Sequence, residues 1–184
     1  PTKICETTAC APRFMTYGCA LGVDSMTTRI EVSGRSIRLG AHPVGIDLAQ
    51  LNDALAKESV KKEIETIRRE VSGRMCVLSV ERLDYVKGPI EKLLAFERLL
   101  DNHPDLHGRV VMINVVTPPA PGMEVYEAVR TEVDQVVGRI NGRFSKLDWT
   151  PVRYFFRSLS HDDVLASCAM ADVAWITPLR DGLN

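Results

Sequence analysis

Ten consecutive residues concentrate the chemistry of this sequence: Ser79-Val80-Glu81-Arg82-Leu83-Asp84-Tyr85-Val86-Lys87-Gly88. The apolar run Met75–Val80 leads into them, and a helical pattern opens at Pro89-Ile90. A charged loop, Glu81–Gly88, therefore lies between a buried strand and a helix start. Proline suits the first helical position, where its missing N–H costs little. The free amides of a helix start attract anions. Arg82 offers a planar fork for phosphate oxygens, and Lys87 offers a mobile point charge. The loop reads as a clamp for a diphosphate, and a plain charged surface loop is the competing reading. A second stretch, Arg180-Asp181-Gly182-Leu183-Asn184, suits a sugar. Asp181 can accept hydrogen bonds from hydroxyls. Gly182 lets the backbone approach closely, and successive amides there can cradle oxygens. Taken singly, Asp181-Gly182 is a turn pattern.

Other chemistries lack their motifs. There is no GxxxxGK[ST] for a P-loop, no GxGxxG after a strand for a dinucleotide, and no GxSxG elbow for a hydrolase. His42, His103 and His107 read as structural or ordinary loop residues, and His161 as surface. Asp162-Asp163 is explained by helix capping more simply than by a metal. The five cysteines are an odd number. Cys76 lies in a strand pattern and Cys168 on a helix, so the expectation is a reduced, cytoplasmic protein. Cys5, Cys10 and Cys19 lack the paired C-x-x-C spacing of a zinc site. No metal and no cofactor are expected. A net charge of −1 leaves no electrostatic footprint for nucleic acid. No apolar stretch approaches the length of a membrane span. The sequence opens without Met and stops directly after a loop that looks functional, so a fragment is expected.

The elements that must position these loops follow from periodicity. Thr27–Val32 and Ser36–Leu39 alternate around Ser33-Gly34-Arg35, which predicts a hairpin. Ala41–Asp47 carries Pro43 and Gly45 and reads as a connection at a domain boundary. Asp47 with Gln50 is a capping-box pattern. Leu48, Leu51, Leu55, Val60, Ile64, Ile67 and Val71 then keep helical spacing, with a break near residues 56–59, until Ser72-Gly73. After the strand Met75–Val80, a helix spans Ile90 to Leu100 and closes at Asn102-His103-Pro104. A strand is expected over Arg109–Val116, followed by the rigid loop Thr117–Gly122. A helix from Val125 is expected to break at Asn141-Gly142. A strand over Val152–Phe156 precedes a helix capped by Ser160 and Asp163, with Leu159 and Val164 as a hydrophobic staple. The last strand is Ala171–Thr177. Alternating strands and helices from residue 75 predict an α/β fold with a doubly wound parallel sheet. Such sheets bind ligands beyond the carboxyl ends of their strands. The loops 81–88, 117–122 and 178–184 all lie there.

Several motifs in one order carry a resemblance. Ser79–Gly88, Gly138-Arg139-Ile140-Asn141-Gly142, Asp148-Trp149-Thr150-Pro151 and Thr177–Asn184 resemble the trehalose-6-phosphate synthase and glucosylglycerol-phosphate synthase family. Pro43-Val44-Gly45-Ile46-Asp47 matches its linker region, and the likeness runs from about Thr27 to the last residue. The resemblance implies a GT-B glycosyltransferase fragment, two Rossmann-like domains flanking the active site. Residues 1–50 would be the end of the acceptor-side domain and its linker. Residues 51–184 would be part of the nucleotide-sugar domain. It implies that Arg82 and Lys87 hold the diphosphate of a nucleotide-glucose. It implies that Asp181, with the amides of Gly182, Leu183 and Asn184, holds the glucose. Transfer would retain configuration without a protein nucleophile.

One departure bears on the acceptor. Trehalose-6-phosphate synthases usually carry Ser-Arg in the loop after the second strand, and that Arg holds the phosphate of glucose 6-phosphate. Here the loop reads Thr117-Pro118-Pro119-Ala120-Pro121-Gly122-Met123-Glu124, with no Arg. This loop, and the stretch Cys10–Cys19, look more like glucosylglycerol-phosphate synthases. The expectation is therefore ADP-glucose as donor and glycerol 3-phosphate as acceptor, with Ala120 in the acceptor-selectivity loop. The alternatives are trehalose-6-phosphate synthesis and a non-catalytic subunit that binds a sugar nucleotide.

Overall fold

The chain is described by a computed structural model that covers residues 4–5, 29–38, 40–41, 46–119 and 125–179. Two compact units divide between Asp47 and Leu48.

In the first unit, β1 (Ile4–Cys5) pairs in parallel with β4 (Gly40–Ala41). β2 (Arg29–Val32) and β3 (Arg35–Arg38) form the expected antiparallel hairpin, with Val32 opposite Arg35. Its two-residue turn places both Ser33 and Gly34 at positive φ, 49° and 73°. That is the turn hand that matches strand twist.

The second unit opens with α1 (Leu48–Ala56) and α2 (Glu58–Val71). The break falls at Lys57, whose ψ of 139° leaves the helical region. Ser72 (φ 54°) and Gly73 (φ 70°) end α2 in left-handed conformation, where the Ser72 N–H caps the Arg68 and Arg69 carbonyls. Then follow β5 (Met75–Arg82), α3 (Pro89–Asn102), β6 (Val110–Thr117), α4 (Val125–Phe144), β7 (Val152–Phe156), α5 (His161–Met170) and β8 (Val173–Ala174). The strands stand in the order β7-β6-β5-β8, every neighbouring pair parallel.

Helices cover both faces, which is why β6 is apolar and buried almost without interruption. Val77 and Met112 meet Leu93, Phe96 and Leu100 of α3 and Val133 and Ile140 of α4 on one face. Cys76, Leu78, Val111 and Ile113 meet Val71 of α2 and Met170 of α5 on the other. Among the described residues, no helix is long and apolar enough to cross a membrane.

Two expected boundaries move. α4 continues through Asn141-Gly142 to Phe144. Asn141 does not turn on its own backbone. Its Nδ2 donates to the Val152 carbonyl at 2.9 Å, and its Oδ1 accepts from the Val152 N–H at 3.0 Å. With Ile140 fully buried beside it, tertiary contacts override the local breaker signal. The last strand shrinks from residues 171–177 to Val173–Ala174, because β8 has a ladder partner on one side only among the described residues.

α3 and α4 are laced by Glu97, which takes a hydrogen bond of 2.7 Å from Arg139 Nη2 and another of 2.7 Å from Arg143 Nη1. Those hydrogen bonds hold the Glu97 carboxyl below its usual range. A carboxyl lowered in the folded state adds stability above its unfolded pKa and loses it as pH falls through the folded value. Glu97→Gln should therefore flatten the acid limb of a melting-temperature profile, and an unchanged limb would mean that the lacing carries no pH-dependent stability.

Candidate functional site

The strand order reverses at β5, since β6 lies on one side of it and β8 on the other. A doubly wound sheet opens its ligand crevice at such a switch point, beyond the carboxyl ends of the two strands. β5 ends on Arg82, which is in register with Thr117 of β6. Arg82 thus belongs to the strand, two residues beyond the expected strand end at Val80, and the clamp loop is correspondingly shorter.

Arg82 stands 63% exposed and donates from Nη2 to Asp84 Oδ2 at 2.9 Å. Asp84 is buried, and its Oδ1 accepts the Val86 N–H at 3.2 Å. One carboxylate thus orients the guanidinium edge and caps the 3₁₀ turn Tyr85–Lys87. A guanidinium has five N–H donors, so the one bond to Asp84 among the described residues uses only part of the fork. Lys87 closes the turn, its N–H bonded to the Asp84 carbonyl at 3.1 Å. Gly88 follows at φ 66° and ψ 45°, and Pro89 opens α3 as expected. Among the described residues no side chain caps this helix start, whose first turn and positive dipole end directly follow Lys87.

The loop after β8 meets this turn. The Leu179 N–H donates to the Val86 carbonyl at 2.8 Å. A Cβ on Gly88 would lie 3.2 Å from Leu179 Cγ. The structure therefore brings the Arg82–Gly88 segment to the beginning of the second predicted loop. Arg180, Asp181, Gly182, Leu183 and Asn184 lie outside the described residues, as does Ala120. Gly88 is required on two grounds, its left-handed backbone and its contact with Leu179. Gly88→Ala should destabilise the protein by about 1–3 kcal/mol. A melting temperature equal to the parent's would show that this junction is soft.

Sequence reasoning missed Asp84 as an anchor and missed a buried polar cluster behind the clamp. Lys92 donates from Nζ to Glu81 Oε2 at 2.7 Å and to Ser79 Oγ at 2.8 Å. The signal was available: Lys92 sits in the stripe Pro89, Leu93, Phe96, Leu100 that α3 turns to the sheet. The motifs Gly138–Gly142 and Asp148–Pro151 are architectural. Asn141 grips β7 as described, and the buried Trp149 donates from Nε1 to the Val110 carbonyl at 2.7 Å.

The two cysteines whose side chains are described, Cys76 and Cys168, give no support to nucleophilic sulfur chemistry. Burial, then the Asp172 carboxylate, push the Cys76 thiol up to about 11, and burial raises Cys168 too. Among the described residues, no group of three or more His, Cys, Asp or Glu is placed to hold a metal ion. A groove of about 780 Å³ lies at the opposite end of the sheet, lined by Arg68, Arg74, Arg109 and Asp172. Arg74 is spent there on the carbonyls of Gly108 at 3.0 Å and Asp148 at 2.8 Å. The C-termini of α2 and α5 end at this groove, and basic residues complement such ends.

Residues 7–184 match the family model described as Glycosyltransferase family 20. Over 175 residues the chain is 50% identical to glucosylglycerol-phosphate synthase of Pseudomonas anguilliseptica, which covers 95% of this chain and 23% of that protein. It is 40% identical to glucosylglycerol-phosphate synthase of Synechocystis sp. over 184 residues, 100% of this chain and 37% of that protein. Among solved structures, an α,α-trehalose-phosphate synthase (UDP-forming) from Burkholderia xenovorans in complex with glucose-6-phosphate matches with a TM-score of 0.87. That match is 29% identical and covers 98% of this chain and 41% of the other. The chain spans well under half the length of each of these relatives.

Proposed function

The chain belongs to glycosyltransferase family 20, and from that premise we propose that the protein carrying it is a retaining hexosyltransferase. It moves glucose from a nucleotide-glucose to a phosphorylated acceptor. The fold is an α/β fragment of GT-B type, a doubly wound parallel sheet. In this reading residues 51–184 are part of the nucleotide-sugar domain, and residues 1–50 end the acceptor-side domain. Arg82 and Lys87 hold the diphosphate. Asp181, Gly182, Leu183 and Asn184 hold the glucose.

The observation that carries the reading is the meeting of the Arg82–Gly88 segment with the β8 loop at the switch point. A cationic clamp at that place does the work that glucosyl transfer requires. As the glycosidic bond breaks, negative charge gathers on the leaving diphosphate. Fixed donors aimed at that charge lower the barrier without reorganising. No protein nucleophile is needed.

Among the donors and acceptors used by members of this family, we propose ADP-glucose as donor and glycerol 3-phosphate as acceptor for this protein. The product, glucosylglycerol phosphate, serves compatible-solute synthesis under salt stress in the cytoplasm. Two facts support this finer reading. The chain is 50% and 40% identical to two glucosylglycerol-phosphate synthases. The loop from Thr117 to Glu124 contains no Arg to hold a hexose phosphate. The test is an assay of the whole protein with ADP-glucose and UDP-glucose, each against glycerol 3-phosphate and glucose 6-phosphate. The expected pair is ADP-glucose with glycerol 3-phosphate. A higher kcat/KM for glucose 6-phosphate would replace this acceptor with that of the trehalose-phosphate synthases.

A further inference from the structure

Behind the clamp lies a buried ion pair that the proposed chemistry does not use. Ser79 and Glu81 alternate along β5 and point to α3, on the face opposite to Arg82. The Lys92 side chain is only 1% exposed and that of Glu81 only 10%. Lys92 Nζ holds Glu81 and Ser79 on the strand, while its backbone N–H closes the first turn of α3 onto the Gly88 carbonyl at 3.0 Å. One residue is thus bonded at both ends of the segment that carries Arg82 and Lys87. Glu81 Oε1 is sealed from solvent without a hydrogen-bond partner among the described residues. Lys92 is the cation paired with that carboxylate.

Stability alone gives little reason for such a pair, since well-packed apolar residues often replace a buried ion pair without loss. What two short contacts supply is a fixed separation between the strand end and the helix start. Donors that stabilise a leaving group need that fixity, because a misplacement of about 1 Å can cost a hundredfold in rate.

We propose that Lys92 is a positioning residue: through Glu81 and Ser79 it sets the spacing between Arg82 at the end of β5 and the Lys87–Gly88 turn at the start of α3, and so shapes the site for a nucleoside diphosphate. This rests on the reading of Arg82 and Lys87 as the diphosphate clamp. It adds a residue that touches neither substrate.

The test uses the whole protein and ADP and UDP as calorimetric probes. The double variant Lys92→Met/Glu81→Leu removes the tie and leaves no uncompensated buried charge. It should melt cooperatively near the parent temperature yet bind the preferred nucleoside diphosphate at least about tenfold more weakly. Its donor KM should rise while its acceptor KM holds. A folded double variant with parental diphosphate affinity overturns the proposal. Should that variant not fold, Glu81→Gln decides. It is isosteric and keeps a weaker, uncharged acceptor for Lys92, and at least about a threefold loss of affinity is expected. Parental affinity in Glu81→Gln then overturns the proposal. Arg82→Ala in the same titration separates the two levels. Parental binding by Arg82→Ala would mean that the clamp reading itself has failed. Loss in Arg82→Ala with parental binding by the Lys92 and Glu81 variants would remove the positioning role alone.

Discussion

Arg82→Ala, made in the whole protein, is expected to lower kcat for glucosyl transfer by about a hundred- to a thousandfold, the usual consequence of removing one fixed donor from a developing negative charge. Lys87→Ala is expected to fall in the same range. The Arg82 side chain is 63% exposed at the carboxyl end of β5, and its one described protein bond runs to Asp84. The pair is exposed on one side only, because Asp84 is buried, so removing Arg82 leaves a buried carboxylate short of a partner at a cost of about 1–3 kcal/mol. Asp84 keeps the Val86 N–H when the guanidinium is gone. The melting temperature should therefore fall modestly while turnover collapses. That separation between stability and rate is the signature of a group acting on the transition state. If both variants turn over at near-parental rates, the diphosphate clamp must be abandoned, together with the positioning role built on it. Asp84→Asn offers a graded control. It keeps the side chain's shape and an oxygen for Val86 but weakens its hold on Arg82, so its loss of rate should lie between the parent and Arg82→Ala.

What the sequence made legible was local chemistry. The helix start at Gly88-Pro89 follows from a residue that tolerates positive φ and a residue with no N–H to satisfy. Pro89 stands at the first helical position as expected, and the structure adds Gly88 before it at φ 66°. The capping box of α5 follows in the same way. Asp163 N–H donates to Ser160 Oγ at 3.1 Å, and Ser160 N–H donates to Asp163 Oδ2 at 3.2 Å. These signals lie within four residues of one another and need no distant partner.

Where a distant partner decides, the sequence alone misleads. Asn141-Gly142 is a breaker pair by propensity, yet the Asn141 amide is engaged eleven residues away on β7, and α4 runs on. The end of β5 is another case. Glu81 and Arg82 look like loop residues by their charge. They stay in the strand because β6 pairs with them as far as Thr117, and because Lys92 neutralises Glu81 from the adjacent helix. The candidate site divides along the same line. Its cationic residues are visible as types at a spacing. The carboxylate that aims Arg82 becomes visible only when β5 and the 3₁₀ turn are set against one another, and Lys92, whose place in the apolar stripe marks it as buried, finds its partners Glu81 and Ser79 only when α3 packs on β5.

The acceptor is the question that a single substitution can press hardest. Ala120 falls between Pro119, just past the end of β6, and Val125, the first residue of α4, and lies outside the described residues. The strand before it ends beside β5: the Leu83 N–H donates to the Thr117 carbonyl at 2.8 Å. The chain therefore leaves β6 after Thr117 at the same end of the sheet as the clamp, the end where doubly wound sheets hold their ligands. The sequence Thr117–Glu124 contains no Arg or Lys. Ala120→Arg would place a planar, permanently charged fork in it, suited to a phosphate carried on a hexose. A charge-assisted bond of this kind is about twice as strong as a neutral one. The ratio of kcat/KM for glucose 6-phosphate over that for glycerol 3-phosphate is expected to rise by about tenfold or more. Most of the change should appear in KM, because the new contact binds substrate and transition state alike. Glycerol 3-phosphate should lose ground, since its shorter reach gains nothing from the new group and meets its bulk. The measurement is acceptor kinetics of Ala120→Arg against the parent at a saturating donor. An unchanged ratio would assign acceptor choice to residues outside this loop. A rise in glucose 6-phosphate inhibition without turnover would mean that the fork captures the phosphate but holds the accepting hydroxyl away from the glucosyl carbon.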